Sequence, residues 1–341
     1  MSGLNWLHLS DWHQKGPHFD FGRDVVRKAL IRDIRERAER INPSLEQVDF
    51  VVFSGDLSFN GKPDEYKAAQ AHLLDPMLDA VGLKPKADQK ADHLFIVPGN
   101  HDLDRDIVFD KDCAPVGLQK PLASPEEVET WLKDDRKFGR VIEPFEAYRK
   151  FVAGYTGQKS PDYASFLPMT TADGKDIALL GLNSAWMCAR NKDAKDKIND
   201  YGYTLVGEPQ IRDKLEEVTN KFALRIAVLH HPIEWLAEFD RLRIKFLLRN
   251  KFDFILSGHE HCPQVEMLHS TLGKCIIIPA GASYERRIAN DPRYTNAYNF
   301  VHLDFDDGRG VVYLRKWSDP TDEWVADHES YTNGEYPFSF R

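Results

Sequence analysis

The sequence of 341 residues predicts a layered α/β fold, and three observations support this prediction. Short apolar runs alternate with longer amphipathic stretches, which is typical of sheets that are covered by helices. Hydrophobic residues make up 42% of the chain and charged residues 29%, which is ordinary for a globular protein. The length is sufficient for one large domain with a substantial core, and we expect a single domain over residues 1–341.

The first part of the chain contains three predicted strands separated by helices. The strands are Leu4–Ser10, Val48–Phe53 and Leu94–Val97. Apolar residues recur at helical spacing from Val25 to Ile41, and Asn42-Pro43 ends that helix. A further helix is predicted to begin at Pro63, because proline is well suited to the first helical turn.

The second part continues the alternation and becomes rich in strands. Strands are predicted at Ile177–Leu182, Arg225–Leu229, Phe252–Leu256, Val265–Leu268, Ile276–Ile278, Phe300–Phe305 and Val311–Trp317. Helices are predicted at Glu208–Thr219 and Trp235–Leu248. Between the two parts, the region at about 104–166 is rich in proline and charge, with helical patches near Glu126–Lys133 and Glu143–Ala153. We expect this region to be an insertion, or cap, over the active site.

Five short polar motifs each follow an apolar run. They are Asp11-Trp12-His13, Gly55-Asp56, Gly99-Asn100-His101-Asp102, His230-His231-Pro232 and Gly258-His259-Glu260-His261. The carboxyl ends of strands in a layered α/β protein converge at one edge of the sheet, where ligands usually bind. We therefore expect the five motifs to meet in space. Each motif alone also occurs in ordinary turns, so the prediction depends on their occurring together.

The spacing within the motifs suits metal binding. Residues i and i+2 of an extended chain point to the same side, so Asp11 and His13 are expected to face one ion, as are His259 and His261. A single carboxylate can bridge two ions about 3.5–4 Å apart. The donors are oxygen and imidazole without thiolate, which suits Mn, Fe or Zn.

Together the five motifs resemble those of the calcineurin-like metallophosphoesterase superfamily, in particular its bacterial phosphodiesterase-type members. The motifs span about residues 4–283, and the ending Tyr298–Trp324 is similar to that of bacterial members that open with Trp-Leu-His-Leu-Ser-Asp. The resemblance implies a layered α-β-β-α sandwich with two mixed sheets and a helical insertion. It also implies that about residues 298–328 form a C-terminal β-hairpin that completes the second sheet.

The resemblance implies a dinuclear metal centre. The implied ligands are Asp11, His13 and His261 for one ion, Asn100, His230 and His259 for the other, and Asp56 as the bridge between them. The choice of His230 over His231 stays open. Manganese is the metal expected first, with Fe, Zn, Ni or Co as alternatives.

The resemblance also implies roles in catalysis. His101 is expected to contact the scissile phosphate or the leaving group, with Asp102 orienting its ring, while a hydroxide that bridges the metals attacks. Arg105, Arg286 and Arg287 are further candidates for contact with a substrate phosphate. A tryptophan of the group Trp12, Trp186 and Trp235 can stack on a nucleobase, although core packing is the other interpretation for each.

The expected function is hydrolysis of a phosphodiester in a nucleotide or nucleic-acid substrate. The alternatives are an SbcD-like DNA nuclease, a phosphomonoesterase or protein phosphatase, an effector domain that works with a separate sensor partner, and a scaffold that has lost catalysis. The net charge of −9 argues against a protein that mainly coats DNA, which needs a basic face. The complete set of candidate residues argues against the scaffold.

The sequence also predicts a cytoplasmic protein without membrane contact. No apolar run approaches the length of about 18 residues that a membrane helix needs. The first residues lack the basic and apolar segments of a signal peptide. The four cysteines show no Cys-x-x-Cys spacing, which favours free thiols in a reducing compartment.

Overall fold

A computed structural model gives the fold and describes residues 3–17, 21–109, 121–158, 163–171, 174–191, 195, 197–218, 221–260, 264–270, 273–284 and 296–340. The predicted first strand is β1 (Gly3–Leu9), in which every residue after Gly3 is buried. Burial of both faces is typical of a central strand in a sheet that other layers cover. The fold is therefore built around an interior strand that leads directly to Asp11.

The first sheet contains β1 and the strands nearest to it in space. Its other strands are β2 (Phe50–Phe53), β3 (Leu94–Ile96), β10 (Ala297–Asp304), β11 (Arg309–Ser318), β12 (Glu323–Ala326) and β13 (Glu335–Ser339). Their order in the described residues is β12-β11-β10-β1-β2-β3, with β13 also paired to β11. β1, β2 and β3 are parallel, whereas β10 is antiparallel to β1. The first three motifs therefore follow parallel strands that end at the same edge.

The second sheet has the same mixed character. Its strands are β4 (Ala164–Thr170), β5 (Asp176–Leu182), β6 (Leu224–Leu229), β7 (Phe254–Ser257), β8 (Glu266–Ser270) and β9 (Gly273–Pro279). They lie in the order β4-β5-β6-β7-β9-β8, with β5, β6, β7 and β9 parallel and the two edge strands antiparallel. The last two motifs follow β6 and β7.

Helices cover the outer faces of both sheets. Their bounds are α1 (Phe21–Arg35), α2 (Arg37–Arg40), α3 (Pro63–Ala69), α4 (Asp75–Ala80), α5 (Arg105–Phe109), α6 (Pro125–Lys133), α7 (Asp135–Ile142), α8 (Glu146–Tyr155), α9 (Glu208–Leu215) and α10 (Glu238–Lys251). A π-helical turn, Gln70–Leu74, joins α3 to α4. Pro63 is the first residue of α3, as its suitability for a first turn predicts.

Three apolar clusters separate the layers. One lies between the sheets and contains Trp6 and Val52 from the first sheet with Ile226 and Leu256 from the second. Another packs the outer face of the first sheet against α1, α3, α4 and α8, and the third packs the outer face of the second sheet against α9 and α10. The predicted α-β-β-α sandwich with two mixed sheets is therefore confirmed.

The region at about 104–166 is only partly separate from these layers. Helices α6 and α7 pack in a fourth apolar cluster, together with Trp186 and Leu205 from the second half of the chain. Tyr148 of α8 instead lies in the core beside the first sheet, where its hydroxyl donates to the carbonyl oxygen of Ile96 at 2.9 Å. The region also ends inside β4, an edge strand of the second sheet. Residues of this region therefore pack with several layers of the fold, and a cap over the active site stays a prediction.

The C-terminal hairpin differs from its expected position. Strands β10 and β11 form it, but they join the sheet of β1 and not the other sheet, which corrects the expectation for about residues 298–328. Leu7 of β1 lies opposite Phe300, because the edge of β1 away from β2 is free for antiparallel pairing. Among the described helices, none has the length and apolar character that a membrane span requires.

Candidate metal centre

The polar motifs from both sheets meet at one edge of the sandwich. Asp11, Asp56 and Asn100 come from the segments after β1, β2 and β3, and His230 and His259 from those after β6 and β7. Ligand atoms lie within 4.8 Å of one another in three groups, which are His13/Asp56/His101, Asp11/Asp56/His230 and His230/His231/His259. His261, Arg286 and Arg287 lie outside the described residues. The described part of the centre is therefore drawn from five strand ends.

The backbone at the candidate ligands is unusual. Asp11, His13, Asp56 and His259 have positive φ angles of 54°, 51°, 59° and 72°. The expectation that an extended chain brings Asp11 and His13 together is therefore wrong, because both residues are left-handed. They still approach each other, with Asp11 Oδ1 3.7 Å from His13 Nε2. The amides of Trp12 and His13 both donate to the carbonyl oxygen of Asp56, which holds this turn against the second strand.

Asp56 is the most central side chain of the group. Its Oδ2 lies 3.1 Å from His13 Nε2 and 3.3 Å from His230 Nε2, and its Oδ1 accepts the amide of His101 at 2.7 Å. Burial by itself raises the pKa of this carboxyl, but the electrostatic interactions with His230 and His101 and the hydrogen bonds from His13 and His230 hold it well below its usual range. Asp56 is therefore a buried carboxylate between imidazoles. A methyl group at Gly99 would overlap it, so this close approach requires glycine.

His230 is oriented for ligation. Its Nδ1 lies 2.8 Å from the carbonyl oxygen of Ser54 and donates to it, so Nε2 is the atom that faces the group. Around Nε2 lie Asn100 Oδ1 and His259 Nδ1, each at 3.2 Å. Burial opposes protonation, but Asp56 and Asp11 raise the pKa of His230 to about 9. The surroundings of His230 Nε2 therefore favour a positive charge at this position. Nitrogen and carboxylate donors in this arrangement fit a divalent ion.

His231 lies nearby but uses both ring nitrogens elsewhere. Its Nδ1 is 3.0 Å from Ser184 Oγ, and its Nε2 is 3.7 Å from Cys188 Sγ. Burial and the neighbouring histidines hold the pKa of His231 well below its ordinary value. The contacts therefore favour His230 over His231 as the ligand.

His259 belongs to the same group through its main chain as well as its ring. Its amide donates to Asp11 Oδ2 at 3.0 Å, which joins the segment after β7 to the segment after β1. A side chain at the preceding Gly258 would overlap Ser10, so this connection also requires a glycine. The two sheets are thus linked directly at the candidate centre.

His101 lies beside this group and is fixed by Phe59. Its Nδ1 donates to the carbonyl oxygen of Phe59 at 2.8 Å, and the two rings stack with centroids 4.8 Å apart. The ring of His13 lies 4.7 Å away on another side. Burial lowers the pKa of His101 to about 4, although Asp56 opposes this effect. The role of Phe59 could not be predicted from the sequence, because any residue type can supply a backbone acceptor.

The carboxylate of Asp102 forms its hydrogen bonds with groups other than the ring of His101, so the orientation of that ring by Asp102 stays a prediction. Its Oδ2 accepts the amides of Asp56 and Gly99 at 2.9 and 3.0 Å, and its Oδ1 accepts from Ser58 and from the hydroxyl of Tyr66 at 3.0 Å. Burial first and the charge of Asp56 second raise the pKa of Asp102 to about 6. Asp102 therefore shapes the loops that carry Asp56 and His101.

Other candidates have varied surroundings. Trp12 and Trp186 are fully buried in the apolar core, whereas Trp235 is half-buried beside His259. The Nε of Arg105 is buried without a hydrogen bond, and the positive charge of this residue helps to lower the pKa of His101. Of these residues, Arg105 and Trp235 remain candidates for contact with a substrate.

Comparison with known proteins decides the family. A sequence model described as calcineurin-like phosphoesterase matches residues 4–263, which include all five motifs. The chain belongs to the calcineurin-like phosphoesterase family. Its described residues include aspartate and histidine groups that could hold metal ions.

Individual relatives of this chain are distant. The uncharacterized metallophosphoesterase-like protein YydB of Bacillus subtilis (strain 168) is 22% identical over 332 residues. The match covers 96% of this chain, which spans 62% of the length of that relative.

Solved structures with some likeness include a predicted phosphoesterase from Streptococcus pneumoniae TIGR4 (12% identity, TM-score 0.34, 99% of each chain covered). Another is Vacuolar Protein Sorting 29 from Cryptosporidium parvum, with 9% identity and a TM-score of 0.40 over 99% of this chain and 98% of that chain. A third is the calcineurin-like phosphoesterase YfkN of Bacillus subtilis, with 12% identity and a TM-score of 0.35 over 99% and 91%. The family assignment depends on the sequence match and not on these scores.

Proposed function

We propose that this phosphoesterase hydrolyses a phosphodiester in a nucleotide-type substrate at a centre for two divalent ions. The observation that carries the proposal is the position of Asp56, whose Oδ2 lies 3.1 Å from His13 Nε2 and 3.3 Å from His230 Nε2. A carboxylate with an imidazole on each side can serve two ions at once. The oxygen and imidazole donors suit Mn²⁺ first, with Fe, Zn, Ni or Co as alternatives.

In this proposal, residues that follow strands of both sheets supply the metal ligands. One ion would be held by Asp11, His13 and His261, the other by Asn100, His230 and His259, and Asp56 would take part in holding both. When bound, the ions lower the pKa of water and neutralise charge on the phosphoryl oxygens. The chain contributes the orientation, since the carbonyl of Ser54 fixes the ring of His230 and the amide of His259 fixes Asp11.

We assign substrate contact to His101. Because Nδ1 donates to Phe59, Nε2 is the atom that remains for a substrate or a water molecule. The low pKa of His101 keeps the ring neutral near pH 7 in the metal-free protein, so Nε2 accepts a proton before it can pass one to a leaving oxygen. Asp102 supports this geometry indirectly through the loops that it holds.

The acidic chain favours a small nucleotide over a long nucleic acid. Binding of a polymer depends on many basic contacts with phosphates, and the net charge here is −9. A small phosphodiester needs only the centre and its immediate surroundings. The nuclease is therefore the second candidate and not the first.

The test combines metal analysis with a panel of substrates. We expect the Mn-loaded protein to contain two ions per chain and to cleave an aryl diester and cyclic mononucleotides faster than an aryl monoester or single- and double-stranded DNA and RNA. Asp56→Asn should lose metal and activity, whereas the exposed control Asp307→Asn should retain both. A wild-type protein that binds no divalent ion and cleaves no phosphoester would sink the proposal.

A further inference from the structure

An aromatic pair lies beside the candidate centre, on the side of the second sheet. The ring of Trp235 meets that of His259 with centroids 4.1 Å apart and an interplanar angle of 84°. Tyr201 in turn meets Trp235 at 5.3 Å and 78°. Trp235 is half-buried, and 56% of Tyr201 is exposed. The pair therefore extends from a proposed metal ligand to the solvent.

Backbone contacts hold this pair in place. The amide of Gly202 and the hydroxyl of Thr204 both donate to the carbonyl oxygen of Trp235, at 2.9 and 2.8 Å. The amide of Ala237 donates to the carbonyl oxygen of Thr204 at 2.9 Å, so the two segments are paired over several residues. The indole Nε1 of Trp235 donates to Glu260 Oε1 at 2.7 Å. Both rings are thus positioned without being enclosed in a core.

Core packing does not explain Tyr201. It belongs to none of the apolar clusters formed by the described residues, and more than half of its surface faces solvent. Large exposed aromatic groups beside a binding site are typical of surfaces that stack on planar ligands, because any flat aromatic ring can pack against them. Their location next to His259 places such a surface within reach of a group attached to a bound phosphate.

We propose that Tyr201 and Trp235 form a stacking surface for a planar aromatic group of the substrate. This inference rests on the proposed function, because it assumes that the phosphate binds at the metal centre. The surface then selects nucleoside and aryl phosphodiesters over alkyl phosphodiesters. Tyr201 carries the clearer test, since Trp235 also touches a proposed metal ligand and its loss can disturb the centre.

The experiment compares three diesters with the Mn-loaded protein: a dinucleoside phosphate, bis(4-nitrophenyl) phosphate and glycerophosphoethanolamine. We expect Tyr201→Ala to raise KM for the dinucleoside phosphate about tenfold with little change in kcat, because a stacked base is lost. Tyr201→Phe should stay near the wild type, and KM for glycerophosphoethanolamine should not change. The control is Tyr203→Ala, because Tyr203 is also exposed in the same segment and lines an open cavity of about 990 Å³ together with Phe239 and Leu242.

The outcomes separate the two proposals. An unchanged KM for both aromatic diesters, or an equal rise for all three diesters, would overturn the stacking surface and leave the phosphodiesterase intact. A rise for bis(4-nitrophenyl) phosphate alone would assign the surface to aryl esters and not to nucleobases. If the wild type cleaves none of the three, the proposed function fails instead. Calorimetric binding of a nucleoside monophosphate to the wild type and to Tyr201→Ala then tests stacking directly, and equal affinities would reject it.

Discussion

At the scale of single residues, His101 is the side chain whose removal best separates metal binding from catalysis. Its hydrogen bond to Asp56 comes from its amide and its ring is not a proposed ligand, so the ring can be removed while every proposed ligand stays. We expect His101→Ala to lower kcat by about 10²–10⁴-fold, the usual contribution of proton transfer by a positioned side chain. Turnover of an aryl diester and metal content by elemental analysis are the measurements, and the metal content should stay at the wild-type value.

The control for this variant is His328→Ala, because His328 is exposed and distant in sequence from the five motifs. It should keep both its metal and its rate. Full activity of His101→Ala would show that the assignment of His101 is wrong. Loss of metal in the same variant would instead make His101 part of the ligand set.

The side chains of the centre could be predicted from the sequence, but the backbone groups that orient them could not. Asp56 and His230 stand in motifs whose chemistry points to metal ions. The carbonyl oxygens of Ser54 and Phe59 orient His230 and His101, and any residue type supplies such a carbonyl. The hydrogen bonds of Asp102 could not be predicted for the same reason, because its carboxylate accepts mainly from backbone amides.

At the scale of secondary structure elements, a buried ion pair joins α1 to the C-terminal strands. Arg315 of β11 donates to both carboxylate oxygens of Asp33 in α1, at 2.8 and 2.7 Å, and Tyr298 of β10 donates to Asp33 at 2.6 Å. We expect Arg315→Leu to lower the free energy of unfolding by about 3–5 kcal/mol, because Asp33 is left buried without its main partner. Chemical denaturation is the measurement.

The comparison variant is Arg32→Ala, which removes an exposed ion pair with Glu323. Exposed pairs contribute about 0–1 kcal/mol, so this variant should unfold nearly as the wild type does. A loss below about 1 kcal/mol for Arg315→Leu would show that the buried pair does not hold α1 to the sheet.

A second prediction at this scale concerns Asp240, in the first turn of α10. Burial raises the pKa of Asp240 to about 6, although hydrogen bonds from the amides of Gly207 and Val206 oppose the rise. The folded state therefore holds the proton more tightly than the unfolded state, in which the pKa is near 3.8. The contribution of protonated Asp240 to the free energy of unfolding is complete below about pH 4 and is lost as the pH rises through about 6.

Substitution isolates this contribution. Between pH 4 and 7 we expect Asp240→Asn to gain up to about 3 kcal/mol in unfolding free energy relative to the wild type, since its amide stays neutral. The exposed variant Asp135→Asn should follow the wild type over the same range. A difference between Asp240→Asn and the wild type that is independent of pH would contradict the buried, protonated aspartate.

The principal strands could be predicted from their apolar runs, but short edge strands could not. β12 and β13 could not be predicted, because each has only four or five residues and mixed burial. β4 could not be predicted either, because it has mixed burial and contains Pro168, a residue that is tolerated mainly at the edge of a sheet. Their pairing with β11 and β5 stabilises them, and such contacts are not visible in a local pattern.

At the scale of the whole molecule, the proposed centre connects the two sheets. Asp11 and Asp56 extend from the first sheet, and His230 and His259 from the second. Ions that bind only the folded arrangement stabilise it by mass action, by about 2.7 kcal/mol at a concentration 100 times the dissociation constant. We expect the Tm of the wild type to rise with Mn²⁺ and to fall when a chelator is added, as measured by scanning calorimetry.

The same titration with Asp56→Asn provides the control, since this variant should show little response to Mn²⁺. An equal rise of Tm in both proteins would locate the stabilising ion elsewhere. The layer order of the molecule could be predicted from the family resemblance, but the sheet that receives the C-terminal hairpin could not. That choice depends on which strand edge is free in three dimensions, and here it is the edge of β1.

The left-handed backbone at Asp11, His13, Asp56 and His259 has a consequence for laboratory evolution. Each such position costs the folded chain about 1–3 kcal/mol, and glycine adopts the same conformation more easily. Glycine variants at these positions can therefore be more heat-resistant than the metal-free parent while lacking a ligand. A library of variants that is sorted only for expression or thermal tolerance would become enriched in glycine substitutions at these four positions, and those variants would be inactive. Selection for stability should therefore also require turnover of a substrate.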